Sequence, residues 1–245
     1  MPTLNKIYID THFHLDKYKE HKKIYEFLNT SELFTICVTN SPEEYVNCKN
    51  HYKETKNVKF ALGYNPKISN ETSFNKDIFN QVVDSTKIIG EIGLDFSNKS
   101  IENKVYQINV LEQILTECYN KNKIYTVHCN KAEKELYNIL KAYGIKNFII
   151  HWYTGEENDF LNFLKLGAYF SINTSIVKDI KNHDFLLNIP KDRILFESDG
   201  PYTNILGKTY NPSLIKNCYK EISEILKINN FNEVVYNNMQ KLFTI

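Results

Sequence analysis

Arginine is nearly missing from this chain: Arg193 is the only one among 30 basic residues. Bidentate guanidinium clamps on phosphate are therefore almost unavailable, and lysine carries the positive charge. CxxC pairs are missing too. The five cysteines, Cys37, Cys48, Cys118, Cys129 and Cys218, are odd in number and scattered, which excludes a disulfide framework or a zinc ribbon and leaves reduced thiols. No apolar run reaches the length of a bilayer span, and the N-terminal MPTLNKIYID has neither the apolar segment nor the cleavage site of a signal peptide. The expectation is a soluble, cytoplasmic protein with no membrane partner. A net charge of +1 excludes a surface made basic throughout for nucleic-acid binding, while a local patch over a cleft stays open. Nor is there a long Gly/Ser/Pro-rich linker, so the 245 residues read as one domain, 1–245, able to bury a core.

What is present is repetition. Short β-branched or aromatic runs recur, each followed by a segment of helical spacing, the pattern of βα units around a parallel sheet. Eight runs fit: KIYID (6–10), LFTICVT (33–39), VKFALG (58–63), IIGEIG (88–93), IYTVHC (124–129), FIIHW (148–152), AYFSI (168–172) and RILFESD (193–199). Apolar residues at Ile101, Val105, Ile108, Leu111 and Leu115 predict a helix packed on a sheet. Ser41-Pro42-Glu43-Glu44 predicts a helix start, with an N-cap, a first-position proline and an acidic first turn. Helices over 211–226 and 232–242 close the chain. Eight such repeats in this length predict an α/β fold, a (β/α)8 TIM barrel rather than an open doubly wound sheet.

The titratable residues fall at the C-terminal ends of these strands. His12 and His14 follow the first, Glu91 and Asp95 end the fourth, His128 the fifth, His151 the sixth, and Glu197 with Asp199 the eighth. In a (β/α)8 barrel those ends form the face where active sites are built. Alternation puts Asp10, His12 and His14 on one side of the first strand. A lone His-X-His arises by chance often enough to carry little; five coincident strand ends carry more. Four histidines with Glu91 and Asp199 make an N/O donor set suited to Zn, Mn or another divalent ion, in number enough for two. Asp10, Asp95 and Glu197 are expected to hold the ligands by hydrogen bonds. His21, His51 and His183 read as surface residues. Cys129 is turned away from His128 by alternation, against a Cys-His nucleophile. Trp152 and Tyr153 could floor the mouth beneath a stacked base, or pack under a loop.

These motifs, IDTHFHLD, GEIGLDF, VHCNKA, HWYTG, ESDGPYT and NNMQKLF, in that order, make the chain resemble the TatD-type metal-dependent deoxyribonucleases of the amidohydrolase superfamily. The resemblance implies a metallo-dependent hydrolase barrel with two divalent ions, Mg, Mn or Zn: His12, His14 and Asp199 on one, His128 and His151 on the other, Glu91 bridging. It also implies that Asp199 serves as general base. Two departures stand out. Asn65, in ALGYNPK, stands where family members carry histidine and is expected to face the phosphate side of the cleft, and Cys129-Asn130 replaces a common Ser-Arg; both changes remove cationic phosphate contacts, leaving Asn65 and Asn130 as polar substrate contacts and Lys131 or Lys208 as the substitute charges. The implied activity is phosphodiester hydrolysis of single-stranded or terminal DNA. Hydrolysis of an amide, ester or aminoacyl-tRNA bond, and a partner-dependent subunit of an antiphage defence cassette, are the competing expectations.

Overall fold

A computed structural model describes residues 7–97 and 101–244. Lys6, the start of the first predicted strand, lies outside the described residues, as does the side chain of Ile101. In chain order the elements are β1 (Tyr8–Phe13), α1 (His21–Thr30), β2 (Leu33–Cys37), α2 (Pro42–His51), β3 (Val58–Phe60), α3 (Lys76–Val82), β4 (Ile88–Asp95), α4 (Ile101–Glu117) and β5 (Ile124–Asn130). There follow α5 (Glu133–Ala142), β6 (Phe148–His151), α6 (Glu157–Leu166), β7 (Tyr169–Ile172), α7 (Thr174–Lys178), β8 (Ile194–Phe196), the hairpin β9 (Asn204–Ile205) and β10 (Lys208–Thr209), α8 (Ile215–Leu226) and α9 (Phe231–Thr244). Each of the eight predicted runs contains a strand. The chain divides into two compact units, Met1–Cys37 with Tyr52–Lys59 and Phe170–Ile245, and Val38–His51 with Phe60–Tyr169.

In the first unit β1 runs parallel to β2, pairing Tyr8 with Leu33 and Asp10 with Thr35; the register then shifts before Phe13 meets Cys37. β1 thus extends past the predicted end at Asp10, and its irregularity falls between Asp10 and Phe13, the stretch that carries His12, where a bulge can re-aim a side chain. β7 pairs in parallel with β8, Phe170 opposite Ile194 and Ile172 opposite Phe196. Behind these strands α8 buries Ile215, Cys218, Tyr219 and Ile222, and α9 buries Phe231, Val235, Met239 and Leu242. Each such large side chain removed from water contributes about 1.5–3 kcal/mol. The Tyr219 hydroxyl donates to the Ile9 carbonyl at 2.7 Å and accepts from the Ile9 N–H at 3.1 Å, anchoring α8 to the centre of β1.

In the second unit β4, β5 and β6 are parallel, with Gly93 opposite His128, Asp95 opposite Asn130 and Val127 opposite Ile150. Gly93 has φ +137°, and a Cβ there would stand 2.0 Å from the His128 carbonyl oxygen; only glycine lets the two strands approach so closely. α2 starts as predicted: Pro42 is its first residue and Ser41 Oγ accepts from the Glu44 N–H at 3.2 Å. α4 keeps part of the predicted face, with Leu111 and Leu115 buried and Ile108 half-buried. Val105 is 51% exposed, and the buried side carries Asn103, Gln107, Val110, Leu111, Ile114, Leu115 and Cys118. Two polar residues head that face, which is why the predicted apolar stripe departs from it at Val105.

Candidate metal centre

Backbone pairing builds the first cluster. The chain leaving β8 lies along the end of β1: Asp199 N–H donates to the His12 carbonyl and His14 N–H to the Gly200 carbonyl, each at 2.9 Å, and Phe13 bridges Gly200 in parallel. Asp199 therefore sits beside both histidines, with His14 Nε2 3.3 Å and His12 Nε2 3.7 Å from its Oδ1. All three residues are buried, and their donor atoms lie within 4.8 Å of one another. Asp199 holds φ +48°, a left-handed conformation that a non-glycine residue keeps only where its surroundings over-determine it.

Asp10 ties this segment down through backbone. Its Oδ1 accepts from Ser198 N–H at 2.8 Å and from His12 N–H at 3.4 Å, and its Oδ2 accepts from the Tyr210 hydroxyl at 3.4 Å. Burial pushes its carboxyl up to about 7 against the lowering effect of the Ser198 and His12 hydrogen bonds. Glu197 is directed elsewhere: it accepts from Ser171 Oγ at 2.5 Å and Asn173 Nδ2 at 3.0 Å, linking β8 to the end of β7 and the start of α7. Lys208 is exposed on β10. Tyr202, 56% exposed, stands edge-on to the His14 ring at 5.2 Å; the sequence pattern had not singled it out.

The second cluster is tighter. Glu91 Oε1 lies 3.0 Å from His128 Nδ1 and 3.0 Å from His151 Nε2, and the two nitrogens are 3.1 Å apart. Donors sharing one ion at bonds of about 2.0–2.2 Å stand about 3.0–3.5 Å from each other, so the spacing fits joint coordination, and the N/N/O chemistry fits a divalent ion. The first cluster, also N/N/O, is looser, with His14 and His12 at 3.3 and 3.7 Å from Asp199 Oδ1. His128 Nε2 meets Asp95 Oδ2 at 2.9 Å. A carboxylate can only accept, so Nε2 carries the proton and Nδ1 presents its lone pair toward Glu91. Burial works to raise the Asp95 carboxyl, but hydrogen bonds from His128 and Ser97 outweigh it and hold it well below the usual range.

Both departures from the family pattern land on these carboxylates. Asn65 Nδ2 donates to Glu91 Oε2 at 2.7 Å, and Asn130 Nδ2 reaches Asp95 Oδ2 at 3.4 Å. Beneath them, Gln107 grips the Asp95 backbone at both ends: Oε1 accepts its N–H at 2.8 Å and Nε2 donates to its carbonyl at 3.0 Å. The spacing of Gln107 from Val110, Leu111 and Ile114 was the signal for it, hidden by its polarity. Lys131 is exposed with φ +55°, and Trp152, half-buried with φ +40°, follows His151. Tyr153 is buried against Phe160 and Phe163 with its hydroxyl on the Glu156 carbonyl, so it packs under a loop. Burial pushes the Cys129 thiol well above its ordinary value, which suits an inert side chain and not a nucleophile.

A family model described as TatD related DNase matches residues 9–244. A TATDN1 homologue of Enterocytozoon bieneusi is 33% identical over 60% of this chain; the match takes in 49% of that relative, so the chain spans about half its length. An uncharacterised metal-dependent hydrolase of Buchnera aphidicola is 30% identical over 79% of this chain and 78% of its own. Among solved structures, YJJV, a TatD homologue from Escherichia coli, superposes with a TM-score of 0.84 at 19% identity, over 97% of this chain and 98% of that one. This likeness shows the fold, an α/β (β/α)8 barrel, as the strand–helix repeats predicted.

Proposed function

The chain belongs to the TatD-related DNase family, and from that premise we propose that it is a divalent-metal-dependent phosphodiester hydrolase acting on single-stranded or terminal DNA through a binuclear centre. One ion, Mg, Mn or Zn, would be held by His12, His14 and Asp199, the other by Glu91, His128 and His151. The observation that carries this reading is the set of 3.0, 3.0 and 3.1 Å spacings among Glu91 Oε1, His128 Nδ1 and His151 Nε2, all three residues buried. When bound, such ions lower the pKa of water and stabilise charge on phosphate oxygens.

The protein's own groups do the rest. Asp95 holds the ligating tautomer of His128, and Asp10 holds the backbone on which Asp199 is carried. Asp199, next to both histidines, is the group to orient the attacking water and take its proton. Trp152 offers an aromatic face for a base, a sequence-tolerant contact that suits single strands. Lys131 and Lys208, both exposed, are the candidate point charges for the backbone.

The test is incubation of purified protein with end-labelled single-stranded DNA and Mg²⁺ or Mn²⁺. Cleavage that disappears in a His12→Ala/His14→Ala variant is expected; no cleavage, or cleavage equal to that of the variant, refutes the reading. A second reading, hydrolysis of an amide, ester or aminoacyl-tRNA bond, draws on one observation. The only arginine, Arg193, is half-buried just before β8 and paired with Asp192, with the whole strand between it and Asp199, so it is not offered to phosphate there. Turnover of such substrates without cleavage of oligonucleotides favours that alternative.

A further inference from the structure

We infer that Asn65 is a positioning residue that fixes the rotamer of Glu91 and is not a contact to the substrate phosphate. The inference rests on the reading of Glu91, His128 and His151 as metal donors. Asn65 is held at each of its polar atoms. Its N–H donates to the Asn40 carbonyl at 2.9 Å. Its side chain caps the 3-10 turn Pro66–Ile68, Oδ1 accepting from the Lys67 N–H at 2.9 Å. That cap settles which way the amide points, because only oxygen can accept there. The NH2 group is thereby turned the other way, and its two hydrogens go to Asn40 Oδ1 at 3.0 Å and Glu91 Oε2 at 2.7 Å.

The consequence lies in the carboxylate. With Oε2 held by the amide, Glu91 turns Oε1 toward the imidazoles, 3.0 Å from both His128 Nδ1 and His151 Nε2. A glutamate side chain otherwise has wide rotamer freedom, which metal binding would have to remove; the amide removes it beforehand. Asn65 is 7% exposed, and contact with a phosphate oxygen would take an N–H away from one of two buried acceptors. The amide that stands in place of a cation thus serves the ligand, and the phosphate must be met elsewhere. Asn130 repeats the pattern more weakly, its amide 3.4 Å from Asp95 Oδ2, the atom that holds His128.

Asn65→Ser separates the roles, since serine keeps a capping oxygen for the Lys67 N–H but is too short to reach Glu91. Asn65→Ala removes cap and donor together. Mn²⁺ is titrated calorimetrically into wild type, both variants and Glu91→Gln, and the metal-free proteins are melted in parallel. Glu91→Gln is expected to abolish one class of Mn²⁺ site, and Asn65→Ser to weaken that class by about 10-fold or more, with a metal-free melting temperature lowered by the two buried acceptors left unpaired and an unchanged KM for single-stranded DNA. Asn65→Ala should add a further fall in melting temperature. Wild-type Mn²⁺ affinity in Asn65→Ser, with a raised KM, overturns the inference and returns Asn65 to the substrate. Equal Mn²⁺ binding by wild type and Glu91→Gln overturns the metal reading itself, and the inference with it.

Discussion

Asp10 offers the sharpest test of how the first cluster is assembled, because it joins parts of the chain 188 residues apart. Asp10→Ala removes the acceptor of the Ser198 N–H, a 2.8 Å bond, and two longer contacts at 3.4 Å that contribute little at that length. Ser198 is 2% exposed, so its N–H would be left buried without a partner, at a cost of about 1–3 kcal/mol. For a chain of this size each kcal/mol lowers the melting temperature by roughly 2–4 °C, so a fall of about 2–12 °C is expected. Asp10→Asn keeps an oxygen against Ser198 and should lose about 1 kcal/mol or less, roughly 3 °C. Because Ser198 precedes Asp199, the alanine variant should also bind Mn²⁺ more weakly, while the asparagine variant should stay near wild type. Thermal unfolding followed by circular dichroism at neutral pH, with a Mn²⁺ titration, reads both effects. An asparagine variant that falls as far as alanine, or an alanine variant that melts with wild type, refutes the reasoning.

Other perturbations follow from the same geometry. Asp95→Ala removes the acceptor of His128 Nε2 and should weaken metal binding by about 10–100-fold, read by titration; unchanged affinity would show that His128 needs no anchor. Gly93→Ala forces a Cβ to 2.0 Å from the His128 carbonyl at φ +137°, and the strain and overpacking together should cost about 3 kcal/mol or more; a melting temperature near wild type would contradict the close strand approach. Lys123 is buried, its ammonium donating to the Val83 and Thr86 carbonyls at 2.6 Å each, and burial pulls its pKa below 10.5. Between its lowered value and 10.5 the unfolded chain binds more protons, so stability rises with pH through that window; Lys123→Met should remove the rise in urea midpoints, and an unchanged slope would contradict the assignment.

The candidate donors were picked out in the sequence because each stands at or near the end of a short apolar run, where the period of two sets its direction. His12, His14, Glu91, His128, His151 and Asp199 needed only that pattern and the number of repeats. What holds them was less legible. The hydrogen bond from Asp199 to the His12 carbonyl joins residues far apart in the chain, and no local pattern announces it. Gln107 and Asn103 lie on the buried face of α4, where a reading by hydropathy looks for Ile or Leu and settles on Val105 instead. Asn65 was read as facing phosphate from its place in a motif, yet its cap on Lys67 and its bond to Glu91 depend on how the backbone turns at Pro66. Residue type announces a donor, while the residues that aim it are found through contacts.

The account turns on whether each cluster holds an ion of its own. Equilibrium dialysis against Mn²⁺, with metal counted by atomic emission, tests this on wild type, His12→Ala/His14→Ala and His128→Ala/His151→Ala. The account predicts about two ions per chain in wild type and about one in each variant. Wild type that retains no metal, or variants that retain as much as wild type, would contradict it.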